Sequence, residues 1–497
     1  MKNKSNPSHL FSLILILLSA CGKNAPTASP TITPATASLR PEITSLENST
    51  STPTNSPTSP SPVRPLYTLN VLLDYDRKYL SVEQTIAYPN QTGETLSDIS
   101  LAVVPNSWQD VFSLFAMEQD GKPVIDYTLD SQRLLVVLPR PLQPGGTLNL
   151  VISYEITLPE IDINSDPNVI RPQIFGYTDR QINLVEWYPF IVPYVSGQGW
   201  LMHDPWFYGE HLVYDVADFD VNIKFGDPTI KPIIASSGPG ASNGEWMHYS
   251  LQAGRTFALS VSKEFQVSST TVNDVSIYSY YFPFEQKAGI AAMQASEQAV
   301  RVYTERYGTY PHTTLSVVQG DFNDGMEFSA LFFLSRDFYN LYTQTPQDYL
   351  TIVAIHETAH QWWFEQVAND QALEPWLDEA LSTYSEHIFY ETVHPDLVDW
   401  WWYYRVDCYA PKGWIDIPVY DGGGFRPYTD AVYLRGAHFL EDLRRRIGDE
   451  AFFSFLRDYL SKEAGKIATS QDFFTILRQH TDTDYLDIIK MYFQYPR

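Results

Sequence analysis

His356-Glu357-Thr358-Ala359-His360, followed after eighteen residues by Glu379, is the part of the sequence best equipped for chemistry. Two histidines four positions apart on a helix project from the same face, roughly 6 Å apart along the axis, so both imidazoles reach one metal ion. Glu379 is the natural third ligand. Three protein ligands leave one tetrahedral position for water, which separates a catalytic zinc, here one per chain, from a closed structural one. Glu357, beside the first histidine, is placed to take a proton from that water, so the chemistry implied is metal-assisted hydrolysis.

Two helices must carry these groups. Thr351 to Ile355 before the motif and Gln361 to Phe364 after it are mostly apolar, which predicts one helix holding the histidines in a desolvated wall. Residues 375–386 form the second, with Pro375 near its first turn. Glu379, Thr383 and Glu386 share a face of that helix, where Glu386 either orients a ligand histidine or makes an unrelated surface salt bridge. Upstream, residues 275–281 and 314–319 read as strands, and residues 284–307 as a long helix that stops at Gly308. A small sheet followed by helices predicts an α+β domain over residues 268–497.

Residues 65–267 show a different pattern. Leu80, Val82, Ile86 and Tyr88 lie on one side of a short run, and Leu148, Leu150, Ile152, Tyr154 and Ile156 on one side of another, the period-2 signature of antiparallel strands with one covered face. We expect an all-β domain with no catalytic cluster, in which aromatic groups such as Trp187-Tyr188 serve packing.

The amino terminus reads as an address. Lys2 and Lys4 precede an apolar run from Leu10 to Leu18, and Leu18-Ser19-Ala20-Cys21 is similar to a bacterial lipobox, so residues 1–21 are expected to be a signal segment ending at a lipidated Cys21. Residues 22–64 are rich in Ser, Thr and Pro and cannot bury enough surface to fold, which predicts a tether. The expected location is therefore extracytoplasmic, anchored to a bacterial membrane at the cell surface or in the periplasm. With Cys408 the only other cysteine, the chain must rely on its cores rather than on cross-links. A formal charge of −26 argues against nucleic acid as a partner and favours cationic peptide amino termini near the site.

Several motifs in order resemble the membrane alanyl aminopeptidase family of gluzincin zinc peptidases, which also includes leukotriene hydrolase. His356-Glu357-x-x-His360 with Glu379 matches that family's metal signature, and Trp376-Leu377-Asp378-Glu379-Ala380 is similar to its W-L-N-E-G segment, with Asp378 and Ala380 as departures. Gly325-Met326-Glu327 stands where the family carries G-x-M-E-N, expected at the end of a strand before the zinc helix. The resemblance implies that Glu327 binds the free α-amine of a peptide substrate. Tyr433-Leu434-Arg435-Gly436-Ala437 resembles the family's Y-x-K-G-A segment, which implies that Tyr433 donates a hydrogen bond to the transition-state oxyanion while Tyr428 lines the site. The implied fold is multi-domain, an antiparallel β saddle domain followed by a thermolysin-like, mainly helical catalytic domain, and the implied activity is that of a zinc aminopeptidase. Asp324 and Phe328 replace the first glycine and the asparagine of G-x-M-E-N and bear on how substrate backbone is held. The chain ends about sixty residues after Tyr433, which leads us to expect a more open site than in relatives with a large helical C-terminal domain. Two other readings of the same residues are a zinc endopeptidase or oligopeptidase that ignores the amine, and a non-catalytic binding lipoprotein on a peptidase scaffold.

Overall fold

The computed structural model describes residues 64–163, 173–323 and 325–495. The signal segment with Cys21, the tether except Arg64, and Asp324 lie outside the described residues. From Arg64 onward the chain is one compact unit with two apolar cores, one under the β-rich first half and one among the later helices. Among the described residues no helix is long and apolar enough to cross a membrane.

The first half is built on an eight-stranded sheet, in spatial order Gly240–Asn243, Trp246–Gly254, Ala217–Phe225, Leu66–Asp74, Tyr79–Pro89, Thr147–Thr157, Phe112–Gln119 and Lys122–Pro123. Alternation in the sequence becomes alternation in burial: Leu80, Val82, Ile86 and Tyr88 all turn inward, as do Leu148 to Ile156 on the neighbouring strand. Gln84 shares that inner face and is satisfied there, donating to Pro189 O at 2.6 Å and accepting from Tyr154 Oη at 3.0 Å. Antiparallel pairing is broken once in this sheet. Leu66–Asp74 runs parallel to Ala217–Phe225, with Tyr67 opposite Phe219 and their rings stacked at 5.4 Å. Two four-stranded sheets and a two-stranded one complete the β-rich half, and Trp187 and Tyr188 are buried in its core.

A five-stranded sheet opens the second half, ordered Gln266–Val272, Val275–Tyr281, Thr314–Gln319, Leu331–Leu334 and Met326–Phe328. Gln286–Arg306 is the long helix, and it packs on that sheet through its alanine-rich face. The segment Gly325-Met326-Glu327, expected at the end of a strand, leads into one: Met326–Phe328 begins just after Gly325 and forms the edge, antiparallel to Leu331–Leu334. The histidine helix also differs from expectation. It runs Tyr349–Ala359, started by the Asp348 side chain accepting from Leu350 N at 2.8 Å, and His360 is already its C-cap. Gln361 to Trp363 continue in turns, with Trp363 N donating to Ala359 O at 3.1 Å, and the chain leaves the helical path at Phe364, whose φ of +144° no α-helix tolerates.

Arg255 ties the two halves together from a position 3% exposed. Its guanidinium donates to Tyr214 O in the β-rich half at 2.9 Å, and to Glu365 O, Gln366 O and Lys466 O at 2.9, 3.2 and 2.9 Å. Each is a charge-assisted bond inside protein, where an orphaned acceptor is costly. Replacing Arg255→Met strands four carbonyls and is expected to lower stability by roughly 3 kcal/mol or more, measured by urea unfolding with the transition monitored at the tryptophans.

Candidate active site

The two histidines and Glu379 meet as the spacing requires. His356 Nε2 lies 3.1 Å from His360 Nε2, and Glu379 Oε2 lies 3.3 and 3.6 Å from them. Glu379 Oε2 is buried and accepts no hydrogen bond. Ligand atoms about 2.0–2.1 Å from a tetrahedral zinc are separated by about 3.3 Å, so this triangle and its orphaned oxygen fit Zn2+. The histidine and glutamate elements present their donors in a wall where every member is at most 6% exposed.

The other nitrogen of each imidazole is held. His360 Nδ1 faces Trp363 O at 3.0 Å, an acceptor delivered by the turn that follows the helix, with Ser382 Oγ at 3.2 Å. His356 Nδ1 faces Glu386 Oε1 at 2.9 Å. Of the two roles open to Glu386, the structure gives the first: it has no exposed surface and is no surface partner. Trp401 Nε1 donates to its Oε2 at 3.0 Å, and Arg405 Nε and Nη2 clasp the carboxylate at 2.9 and 3.0 Å. Burial pushes Glu386 up, and the Arg405 charge with the His356 bond more than offset it, so the carboxyl stays below its usual range. Such a partner fixes tautomer and ring direction.

Glu357 occupies the next position round the helix, and Gly325 makes room for it. A Cβ at Gly325 would stand 2.8 Å from Glu357 Oε1 and 2.9 Å from Val353 Cγ1, so any side chain there displaces the carboxylate. Met326 and Glu327 follow on the edge strand, which Gln361 pins by donating to Phe328 O at 3.0 Å and accepting from Ala330 N at 2.9 Å. Glu327 reaches inward, and one atom each of Glu327, Glu357 and His360 lie within 4.8 Å of one another. Gln371 Nε2 donates both to Glu327 Oε1 at 3.1 Å and to Asp378 Oδ2 at 2.9 Å. Asp378 also accepts from Asn369 at 2.9 Å and from Glu379 N at 3.0 Å. Burial, then the adjacent Glu379 carboxylate, push it up to about 8.

Tyr433 stands on the opposite side, its ring parallel to His356 at 6.1 Å and edge-on to Tyr428 at 5.9 Å. It projects from a π-helical turn, Asp430–Arg435, inserted between Phe425–Thr429 and Gly436–Ile447. Gly436 lets this segment approach the glutamate helix, since a Cβ there would fall 2.3 Å from Ala380 Cβ. Burial, then Glu379, raise the Tyr433 phenol well above its ordinary value, so it remains a proton donor. These groups line one cavity of about 230 Å3.

Sequence reasoning brought together His356, His360, Glu379, Glu357, Glu327, Gly325, Met326, Tyr428, Tyr433 and Glu386, and all but Glu386, which lies behind His356, line that cavity. It missed Arg405, Trp401, Ser382 and Gln371, whose only signal is proximity after folding. The β-rich half also lines the cavity, through Tyr208, Gly209 and Glu210, residues that no motif marks.

Fold and donor set define a two-part zinc metallopeptidase architecture, a β-rich domain followed by a helical one. Residues 291–494 match the Peptidase family M1 domain. It is similar to Aminopeptidase M1-D of Oryza sativa subsp. japonica, 23% identical over 42% of this chain and 25% of that protein. Among solved structures, an M1 zinc metallopeptidase of Deinococcus radiodurans shares the fold, with a TM-score of 0.61 at 18% identity over 87% of this chain and 95% of that one. The same bacterial protein bound to a Tyr-Ser-Ala substrate aligns with a TM-score of 0.59 at 20% identity over 84% and 90% of the two chains. The chain thus spans about a quarter of the length of the rice relative and nearly all of the bacterial one.

Two outcomes follow from this geometry. Glu386→Gln is expected to weaken zinc binding by roughly 10–100-fold while secondary structure is kept, measured by competition with a chromophoric chelator. Gly325→Ala is expected to leave zinc content unchanged and to lower kcat by roughly 100-fold through the displaced Glu357, read from metal analysis beside steady-state hydrolysis.

Proposed function

We propose that the protein is a zinc aminopeptidase that removes single residues from the amino termini of peptides outside the cytoplasm. The observation that carries this reading is the closeness of Glu327, Glu357 and His360, whose atoms fall within 4.8 Å. A carboxylate that anchors an ammonium so near the general base sets the cut one residue from the free amine.

His356, His360 and Glu379 would hold the zinc ion, which would supply Lewis acidity and make a water nucleophilic at neutral pH. Glu357 takes the proton of the attacking water and passes it to the leaving amine, which departs neutral. Tyr433, kept as a phenol by burial, donates to the oxygen that becomes negative as the carbonyl is attacked. Glu327, steadied by Gln371, holds the α-ammonium, and the Glu386–Arg405 pair keeps the His356 ring from turning. Lipidation at Cys21 and the tether of residues 22–64 belong to the same proposal and rest on the sequence alone.

Glu357→Gln is expected to retain stoichiometric zinc and lose turnover of alanyl p-nitroanilide, and substantial residual hydrolysis in that variant sinks the assignment. Tyr433→Phe is expected to lower kcat by roughly 100- to 1,000-fold with KM little changed. If acetylating the amine of the substrate does not slow the wild-type enzyme, the endopeptidase reading replaces this one.

A further inference from the structure

The cavity of about 230 Å3 has a small neighbour. The second space, about 10 Å3, shares Glu210, Met326 and Glu327 with the first and touches none of the metal-binding residues. It therefore lies on the far side of Glu327 from the metal site. A void of about 10–15 Å3 holds one water, so beyond Glu327 there is room for an ammonium group or a water and not for another amino-acid residue.

Two phenylalanine rings stand in its lining. Phe328 and Phe364 both line the small space, and each is 3% exposed. Phe328 packs edge-on to Phe333 at 6.1 Å, and Phe364 packs edge-on at 6.1 Å to Tyr214, which lines the same space. Phe364 holds its place at φ +144°, a backbone conformation open to glycine and costly for a bulky side chain. Its N–H donates to Val367 O at 2.9 Å, so the turn is fixed whichever residue stands there. A phenylalanine where the backbone asks for glycine is strain kept for the ring. Phe328 reaches the same space from the edge strand directly after Glu327, so two phenylalanine side chains line the space that adjoins the amine anchor.

We propose that Phe328 and Phe364 form a stopper behind Glu327 that admits the substrate's α-ammonium and excludes any residue preceding it. The proposal rests on the reading of Glu327 as the amine anchor and adds the determinant that makes removal strictly one residue at a time. A chain extended past the anchored position would have to occupy the volume of the two rings.

The test uses three substrates: alanyl p-nitroanilide, its N-acetyl derivative, and glycyl-alanyl p-nitroanilide. With the stopper in place, nitroaniline appears from the third only after glycine has been removed, so its release shows a lag, and the acetylated substrate is slower than the free one by about 100-fold or more. Phe364→Gly, which removes a ring and suits the backbone, is expected to abolish the lag and narrow the acetyl discrimination by about tenfold. Phe328→Leu, which keeps an apolar group in the core, is expected to shift both readouts in the same direction and decides the matter if the first variant does not fold. Retention of the lag and of the acetyl discrimination in a variant that still cleaves alanyl p-nitroanilide overturns the stopper. Wild-type enzyme that cleaves the acetylated substrate freely, with no lag on the third, overturns the aminopeptidase reading instead.

Discussion

Buried negative charge is the constraint on which the rest of this structure depends. Glu327, Glu357, Asp378, Glu379 and Glu386 converge with none more than 6% exposed. Among the described residues lining or backing the site, the one guanidinium is Arg405, already paired with Glu386. Burying ionised carboxylates without partners costs several kcal/mol each. Part of that charge is met by hydrogen bonds, since Asp378 accepts from Asn369, Gln371 and Glu379 N. The remainder calls for a cation, and the triangle of His356, His360 and Glu379 is where one fits.

The elements that bring these groups together share a device. Arg405 lies in a π-helical turn, Trp402–Val406, and Tyr433 in another, Asp430–Arg435. Each wide turn adds a residue to a helix and swings one side chain out of the regular spiral toward the metal site. Close backbone contact does the complementary work: glycine at 436 against Ala380 sets the distance of Tyr433 from the glutamate helix, and glycine at 325 leaves space for Glu357.

The metal triad was legible because a helix turns spacing into a shared face, and the strands of the β-rich half because their alternation survives as burial. Local pattern failed where long-range contact decides. Nothing near Gln361 announces the end of the histidine helix, because that end is set by the tertiary packing of Phe364 and the bonds of Gln361 to the edge strand. Glu386 carried no mark distinguishing a buried anchor from a surface charge until Trp401 and Arg405 closed over it. The contribution of Tyr208 to Glu210 was hidden for the same reason: a loop with no periodicity acquires its role only by where the sheet carries it.

The parallel pairing of Leu66–Asp74 with Ala217–Phe225 has its own consequence for how the molecule comes into being. As the chain leaves the ribosome, the strand Leu66–Asp74 finds a hairpin partner at once in Tyr79–Pro89, yet its other edge stays bare until well over a hundred further residues have emerged. For that interval a strand rich in leucine and valine offers an open edge, the kind of template on which chains aggregate. Closure of the sheet is thus a late event, and it precedes synthesis of the histidine helix, so the β-rich half is complete before the acidic site has to be assembled against it.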